Sequence, residues 1–175
     1  TVAYLASSGE VKVRLTAKGA TREEAEALIA PVADEAAARL GEFCFTTADE
    51  ELPAAVGRLL RDAGKTIACA ESLTGGSVSA RITSIPGSSD YFRGAAVVYT
   101  AEAKRDVLGV SAGTIERDGV VSETCAREMA AGARKLFGAD ISVALTGAAG
   151  PTTHAGVEPG FTWIALDAEG VAHAR

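Results

Sequence analysis

The 175-residue chain is long enough for one domain with a sizeable core or for two small ones. Hydrophobic residues make up 47% and charged residues 23%, an ordinary globular balance, and a net charge of −6 argues against nonspecific nucleic-acid binding, which needs clustered Lys and Arg. No apolar run approaches the roughly 18 residues of a membrane span and no basic segment precedes a hydrophobic one, so no membrane partner and a cytoplasmic location are expected.

The chain is expected to divide near residues 47–50. In the first part, Gly9–Gly19 alternates Val11, Val13 and Leu15 with Lys12, Arg14 and Thr16, which predicts a half-exposed strand. Thr21 and Glu24 have capping-box spacing, and apolar residues from Ala25 to Leu40 recur at helical intervals. Pro31 should kink or split that helix, Gly41 should follow its end, and "EFCFT" reads as a returning strand. Residues 1–46 thus read as a small β-α-β unit, barely able to stabilise itself.

The second part, residues 51–175, opens on a helix with Leu52, Val56, Leu59, Leu60 and Ala63 on one face, ended by Gly64. Strand 66–70, helix 74–84, strand 94–100, helix 101–108, helix 122–137, strand 140–146 and strand 161–167 follow. That order predicts an α/β domain with a mostly parallel sheet flanked by helices, whose ligands bind where strands end and helices begin. Aromatics are only 5% and alanine is abundant, so the helices should pack closely through small side chains. Cys44, Cys69 and Cys125 are widely separated, and Cys44 and Cys69 lie in apolar strand-like runs, as buried structural thiols do. No His/Cys/Asp cluster has ligand spacing, so neither metal nor cofactor is expected.

The stretch "TIACAESLTGGSVSARI", Thr66–Ile82, carries the chemistry. Glycines and the first N–H groups of a helix follow directly on a strand, and such free donors suit a phosphate or a developing oxyanion. Ser72 at this turn fits three roles: a helix cap, a phosphate contact or a nucleophile. A nucleophile needs a base. The two histidines are His154, in the loop "GPTTHAG", and His173, near the C-terminus. The other candidate is Lys104, in the first turns of the helix after the strand that delivers Tyr99; a desolvated lysine there can have its pKa lowered enough to take a proton. A third strand ends in the small-residue loop Thr146–Pro151, where Gly147 and Gly150 leave backbone amides open.

"ACAESLTGGSVSARITSIPGSSDYFRGAAVVYTAEAKRDVLGV" and "GVVSETCAREMAAGARKLFGADISVALTGAAGP" resemble the C-terminal domain of the CinA, or competence/damage-inducible, family. "VKVRLTAKGATREEAEALIAPVADEAAARLGEFCF" is similar to the KH-like segment that precedes it, so an α+β KH-like subdomain is expected there. The resemblance implies deamidation of nicotinamide mononucleotide to nicotinate mononucleotide and ammonia, with Ser72 as nucleophile and Tyr99 and Lys104 as its activating partners. It implies that Glu71, Thr74, Gly75 and Gly76, with Thr146, Gly147, Ala149 and Gly150, hold the nucleotide, and that the protein is a homo-oligomer. The family runs on into a Gly-Gly stretch and Lys-Pro-Val-Gly, whereas "TTHAGVEPGF" is a residue shorter and places Glu158 near the expected lysine, which predicts weakened affinity for a phosphate. The family also has a Gly-Asp-Arg segment and a final helix beyond the position of Arg175 and a pyrophosphatase domain before that of Thr1, which predicts weak or no activity for this stretch alone. The rival class is a non-catalytic module that recruits a protein in competence or DNA damage. RNA binding is not expected of residues 1–46, which carry five Lys/Arg against seven Asp/Glu and no Gly-x-x-Gly loop.

Overall fold

A computed structural model describes residues 1–7, 9–153, 156–169 and 171–175. The chain forms two compact units, Thr1–Leu52 and Pro53–Arg175.

In the first unit, strand β1 (Val2–Ser7) pairs antiparallel with β2 (Glu10–Leu15), and helix α1 (Arg22–Leu40) follows. Thr21 caps α1 by accepting the Glu24 amide at 3.2 Å, and the Glu24 carboxylate returns to accept the Ala20 amide at 2.8 Å, a capping box shifted by one residue. Two expectations are corrected. Pro31 does not split α1, which runs unbroken for 19 residues, so the bonds of the neighbouring turns carry it past the missing N–H. "EFCFT" is not a strand: Gly41–Phe43 makes a 3₁₀ turn instead. The second strand is β1, so the order is β-β-α rather than β-α-β. None of this unit's described residues is fully buried.

The second unit is a three-layer α/β domain. Its helices and strands are α2 (Leu52–Asp62), β3 (Ile67–Glu71), α3 (Ser77–Thr83), β4 (Phe92–Val97), α4 (Ala101–Leu108), α5 (Ala112–Asp118), α6 (Glu123–Phe137), β5 (Ile141–Gly147), β6 (Thr162–Ala168) and β7 (Val171–Ala174). Strand order is β4-β3-β5-β6-β7, with β3 parallel to both neighbours. Because β6 is antiparallel to β5 and to β7, four of the five strands point the same way. The α2 face differs from the expected one: Ala55 and Leu60 go inward while Leu52 and Leu59 stay exposed. Helix α5 and strand β7 have no counterpart in the sequence reading. The first is only seven residues and is held by Glu128 of α6, whose carboxylate accepts the Ser111 amide at 2.7 Å and the Thr114 hydroxyl at 2.6 Å.

Two cores flank the sheet. On one side Ala70, Ala144 and Ala165 of the strands meet Ala126, Met129, Ala130 and Ala133 of α6, with Leu108 of α4. On the other, Ile67 and Cys69 of β3 pack with Leu60, Ile82 and Tyr91. Small side chains draw the first layer close. Gly132 of α6 lies so near the end of α4 that a Cβ there would be 2.1 Å from the Leu108 carbonyl oxygen. Gly132→Ala is therefore expected to force α4 away from α6 at a cost of about 1–3 kcal/mol, read as a lowered urea midpoint with unchanged m-value. An unaltered midpoint would mean that the two helices part freely.

Candidate functional site

Strand β3 lies between β4 and β5, so the chain leaves it to one side through α3 and reaches the other side only after α6. The carboxyl end of β3 is a topological switch point, where open α/β sheets form their crevice. Ser72 is the first residue past that end. Its amide donates to the Leu145 carbonyl of β5 at 3.0 Å, and the Val98 amide donates to the Glu71 carbonyl at 2.8 Å, so both neighbouring strands pin the exit.

Successive side chains of a strand point to opposite faces. Ala70 joins the α6 core and Cys69 the opposite one, and the two polar residues at the strand end divide likewise. Ser72, 6% exposed, turns to the α4–α6 layer, where the Lys104 amine donates to its hydroxyl oxygen at 2.8 Å. The same amine donates to the Val98 carbonyl at 2.9 Å. Helix α4 delivers Lys104 because Thr100 caps its start, accepting the Ala103 amide at 3.1 Å, and because Lys104 and Leu108 share the buried stripe. Lys104 is 2% exposed, and among the described residues no carboxylate pairs with it. Desolvation therefore pulls its pKa below the ordinary 10.5, opposed only by the nearby Cys125 thiol. Burial pushes Cys125 itself up to about 11 and Cys69 to about 12, so both are inert core thiols, while Cys44 is only half-buried, its thiol beside the Thr46 carbonyl.

Glu71 turns to the α3 layer. Its carboxylate accepts the amides of Gly76, Val78 and Ser79 at 3.0, 3.1 and 2.9 Å, and the Ser79 hydroxyl. Desolvation raises its pKa, but the Ser79 and Thr74 hydroxyls and the Ser79 and Val78 amides outweigh it and hold the carboxyl below its usual range. The expectation of free donors at the helix start is thus corrected: an internal carboxylate has taken them. Ser72 is not the cap either. Gly76 occupies the N-cap position of α3, at a φ of 100°, and Gly75 has a φ of 59°, so both glycines are required by left-handed backbone.

The remaining candidates separate. Thr74 Oγ1 is buried beside the Glu71 carboxylate without a well-formed hydrogen bond. Tyr99 is 70% exposed, two residues past the end of β4, and makes no hydrogen bond to Ser72 or Lys104. The Thr146 hydroxyl donates to the Val120 carbonyl at 2.8 Å, and Gly147 is closed off by the Phe161 carbonyl, which would stand 2.4 Å from a Cβ. Ala149, Gly150 and Glu158 are exposed. His154 lies outside the described residues. His173 sits in β7, three strand spacings or about 14 Å from β3, out of reach of Ser72. Among the described residues, no three or more His, Cys, Asp or Glu could hold a metal ion, and no helix is long and apolar enough to cross a membrane.

A buried amine bonded to a serine hydroxyl at the switch point of a mainly parallel sheet places this unit among α/β proteins with a serine–lysine pair. Residues 49–175 match the CinA C-terminal domain and residues 1–46 the damage-inducible protein CinA KH domain; the chain belongs to the CinA family. A relative from Desulforamulus reducens named for competence and damage induction is 43% identical over 165 residues, 94% of this chain and 40% of its own length. A CinA-like protein of Synechococcus sp. (strain RCC307) is 48% identical over 151 residues, 86% of this chain and 36% of its own length. The chain thus spans about two-fifths of the curated relatives it matches. Among solved structures, a CinA superfamily protein from Escherichia coli has a TM-score of 0.70 at 32% identity, over 74% of this chain and 78% of that one. The competence damage-inducible protein A of Klebsiella pneumoniae gives 0.69 at 36% identity, over 71% and 78%.

The Lys104 environment has a thermodynamic signature. The unfolded amine titrates at the ordinary 10.5 and the folded one below it. Below the folded value both states hold the proton and the fold bears the full cost of a buried ammonium. Between the two values only the unfolded state is protonated, so stability rises with pH, and the cost is gone above 10.5. The parent should therefore gain stability relative to Lys104→Met as pH climbs toward 10.5, measured by urea denaturation across that range. A pH-independent difference would mean that the amine is solvated.

Proposed function

We propose that this chain carries the catalytic centre of an amidohydrolase acting on the carboxamide of nicotinamide mononucleotide, releasing ammonia and leaving nicotinate mononucleotide. The observation that carries this reading is the 2.8 Å contact between the Lys104 amine and the Ser72 hydroxyl, in a site where the amine has no carboxylate partner. A neutral amine can take the hydroxyl proton, whereas a salt-bridged lysine cannot. Ser72 Oγ attacks the carboxamide carbon while Lys104 accepts its proton. The C–N bond of the tetrahedral intermediate then breaks as the Lys104 ammonium protonates the leaving nitrogen. Water, deprotonated by the same amine, hydrolyses the resulting ester and regenerates the hydroxyl.

The oxyanion needs donors other than the α3 amides, which Glu71 holds. The amides of Leu73 and Thr74, for which no partner occurs among the described residues, are the donors in this reading. Tyr99, exposed beside the same strand ends, serves as a substrate contact rather than as a relay to Lys104. Ala149 and Gly150 supply exposed backbone for the nucleotide, whereas Thr146 and Gly147 shape the loop from beneath. The reaction takes place in the cytoplasm, and a homo-oligomer is the proposed assembly.

In this chain extended to the full length of its relatives, Ser72→Ala should abolish ammonia release while lowering stability by about 1–3 kcal/mol, since the buried Lys104 amine loses one of its two acceptors. Lys104→Met should lower kcat roughly 10²-fold or more with KM nearly unchanged. The parent's rate should rise with pH through the depressed Lys104 pKa, since only the neutral amine is a base. Ser72→Ala turnover within a few-fold of the parent would remove the nucleophile, and absence of ammonia from the parent would leave the protein-recruiting reading.

A further inference from the structure

Glu71 lies next to the proposed nucleophile in sequence, yet it is 0% exposed and turned into the opposite layer. Its two oxygens accept three backbone amides and one hydroxyl, all on the segment Gly76–Ser79. The intervening turn has few bonds of its own: the Gly75 amide donates to the Ser72 carbonyl at 3.1 Å and the Ser77 amide to the Thr74 carbonyl at 3.0 Å. Gly75 and Gly76, both at positive φ, would leave such a turn loose in the absence of an anchor. The carboxylate supplies one. It ties the start of α3 back to the last residue of β3 and closes the turn Ser72–Gly75 into a loop fastened at both ends.

We propose that Glu71 is a positioning residue: by holding the α3 amides from within the protein, it fixes the turn that presents the Ser72 hydroxyl to Lys104. This rests on the amidohydrolase reading for its effect on rate, but its structural half does not. A seven-residue helix would be a weak electrostatic site for a substrate anion, and with its first amides already occupied it offers none. Glu71 therefore acts through Ser72 and not on the nucleotide, which departs from the binding role that the family resemblance implies for it.

The test uses Glu71→Ala, with Glu71→Gln as the isosteric second variant, in the chain extended to the length of its relatives. Amide hydrogen exchange should quicken about tenfold or more at Ser72, Gly75, Gly76, Val78 and Ser79 in Glu71→Ala, while β5 amides keep their protection. Sodium formate at tens of millimolar should restore that protection, because a free carboxylate can occupy the vacated space, and Glu71→Gln, which keeps one acceptor oxygen, should fall between. In the ammonia assay, kcat should drop about 10²-fold in Glu71→Ala with KM within a few-fold, and formate should recover part of it. Unchanged exchange at these five amides, or quickened exchange that formate does not reverse in a folded variant, overturns the proposal. So does a raised KM with kcat intact, which would make Glu71 a substrate ligand. If the parent releases no ammonia, the amidohydrolase reading falls while the exchange and formate results still decide Glu71. Should Glu71→Ala fail to fold, the exchange pattern of Glu71→Gln decides it alone.

Discussion

Two ionisable groups are buried at the carboxyl end of one strand and its neighbouring helix, and neither neutralises the other. Removing a charge from water is costly unless hydrogen bonds or a counter-ion replace the lost hydration. Glu71 and Lys104 meet that constraint in opposite ways. The carboxylate stays ionised because three amides and a hydroxyl surround it, whereas the amine has only a carbonyl and a hydroxyl as acceptors, and desolvation lowers its pKa against the opposing pull of Cys125. They do not pair because of the pleat. Glu71 and Ser72 are consecutive, so one faces α3 and the other faces α4, and the sheet itself separates the acid from the base.

The depressed pKa of the Lys104 amine depends in turn on packing some distance away. Lys104 is dry because α4 lies close against α6, and that approach is possible only because α6 presents Ala126, Ala130, Ala133 and Gly132 on its inner side. A larger residue at this seam would open the layer and admit water to the amine. The core beneath the site is therefore built of small side chains for a reason beyond space-filling: it brings a helix backbone within van der Waals reach of its neighbour. The sheet contributes the other half, since β3 is pinned by β4 and β5 through backbone bonds at the residues flanking the exit.

The amino-terminal unit obeys different physics. Its sheet has two strands, its helix has no fully buried residue, and Tyr4, Val11, Leu28 and Phe43 are 58% or more exposed. A two-stranded sheet with one helix lies at the lower limit of what apolar burial can stabilise. Its local signals are legible all the same: Thr21 caps α1, Val13 and Leu15 of β2 are half-buried although Val11 is not, and Arg22 and Glu26 form a surface ion pair one turn apart.

What the sequence determined by itself is local and periodic. Alternation located β2, helical spacing located α1, α4 and α6, and the order of elements was enough to expect an α/β domain with its site at strand ends, because such patterns depend on neighbours within a turn or two. The motif around Ser72 and the placement of Lys104 just past the β4 exit were legible for the same reason. Partnership was not. That Glu71 rather than Ser72 caps α3, that Tyr99 is exposed at the exit while Lys104 turns inward, and that the Thr146 hydroxyl is spent on Val120 depend on which groups meet across the fold. Ser72 and Lys104 are 32 residues apart, and the pairing of β3 with β4 together with the packing of α4 on α6 closes that distance. The missed elements follow the same rule: α5 needs the Glu128 carboxylate of another helix, β1 and β7 need their antiparallel partners, and a short segment carries no periodic signal strong enough to announce either.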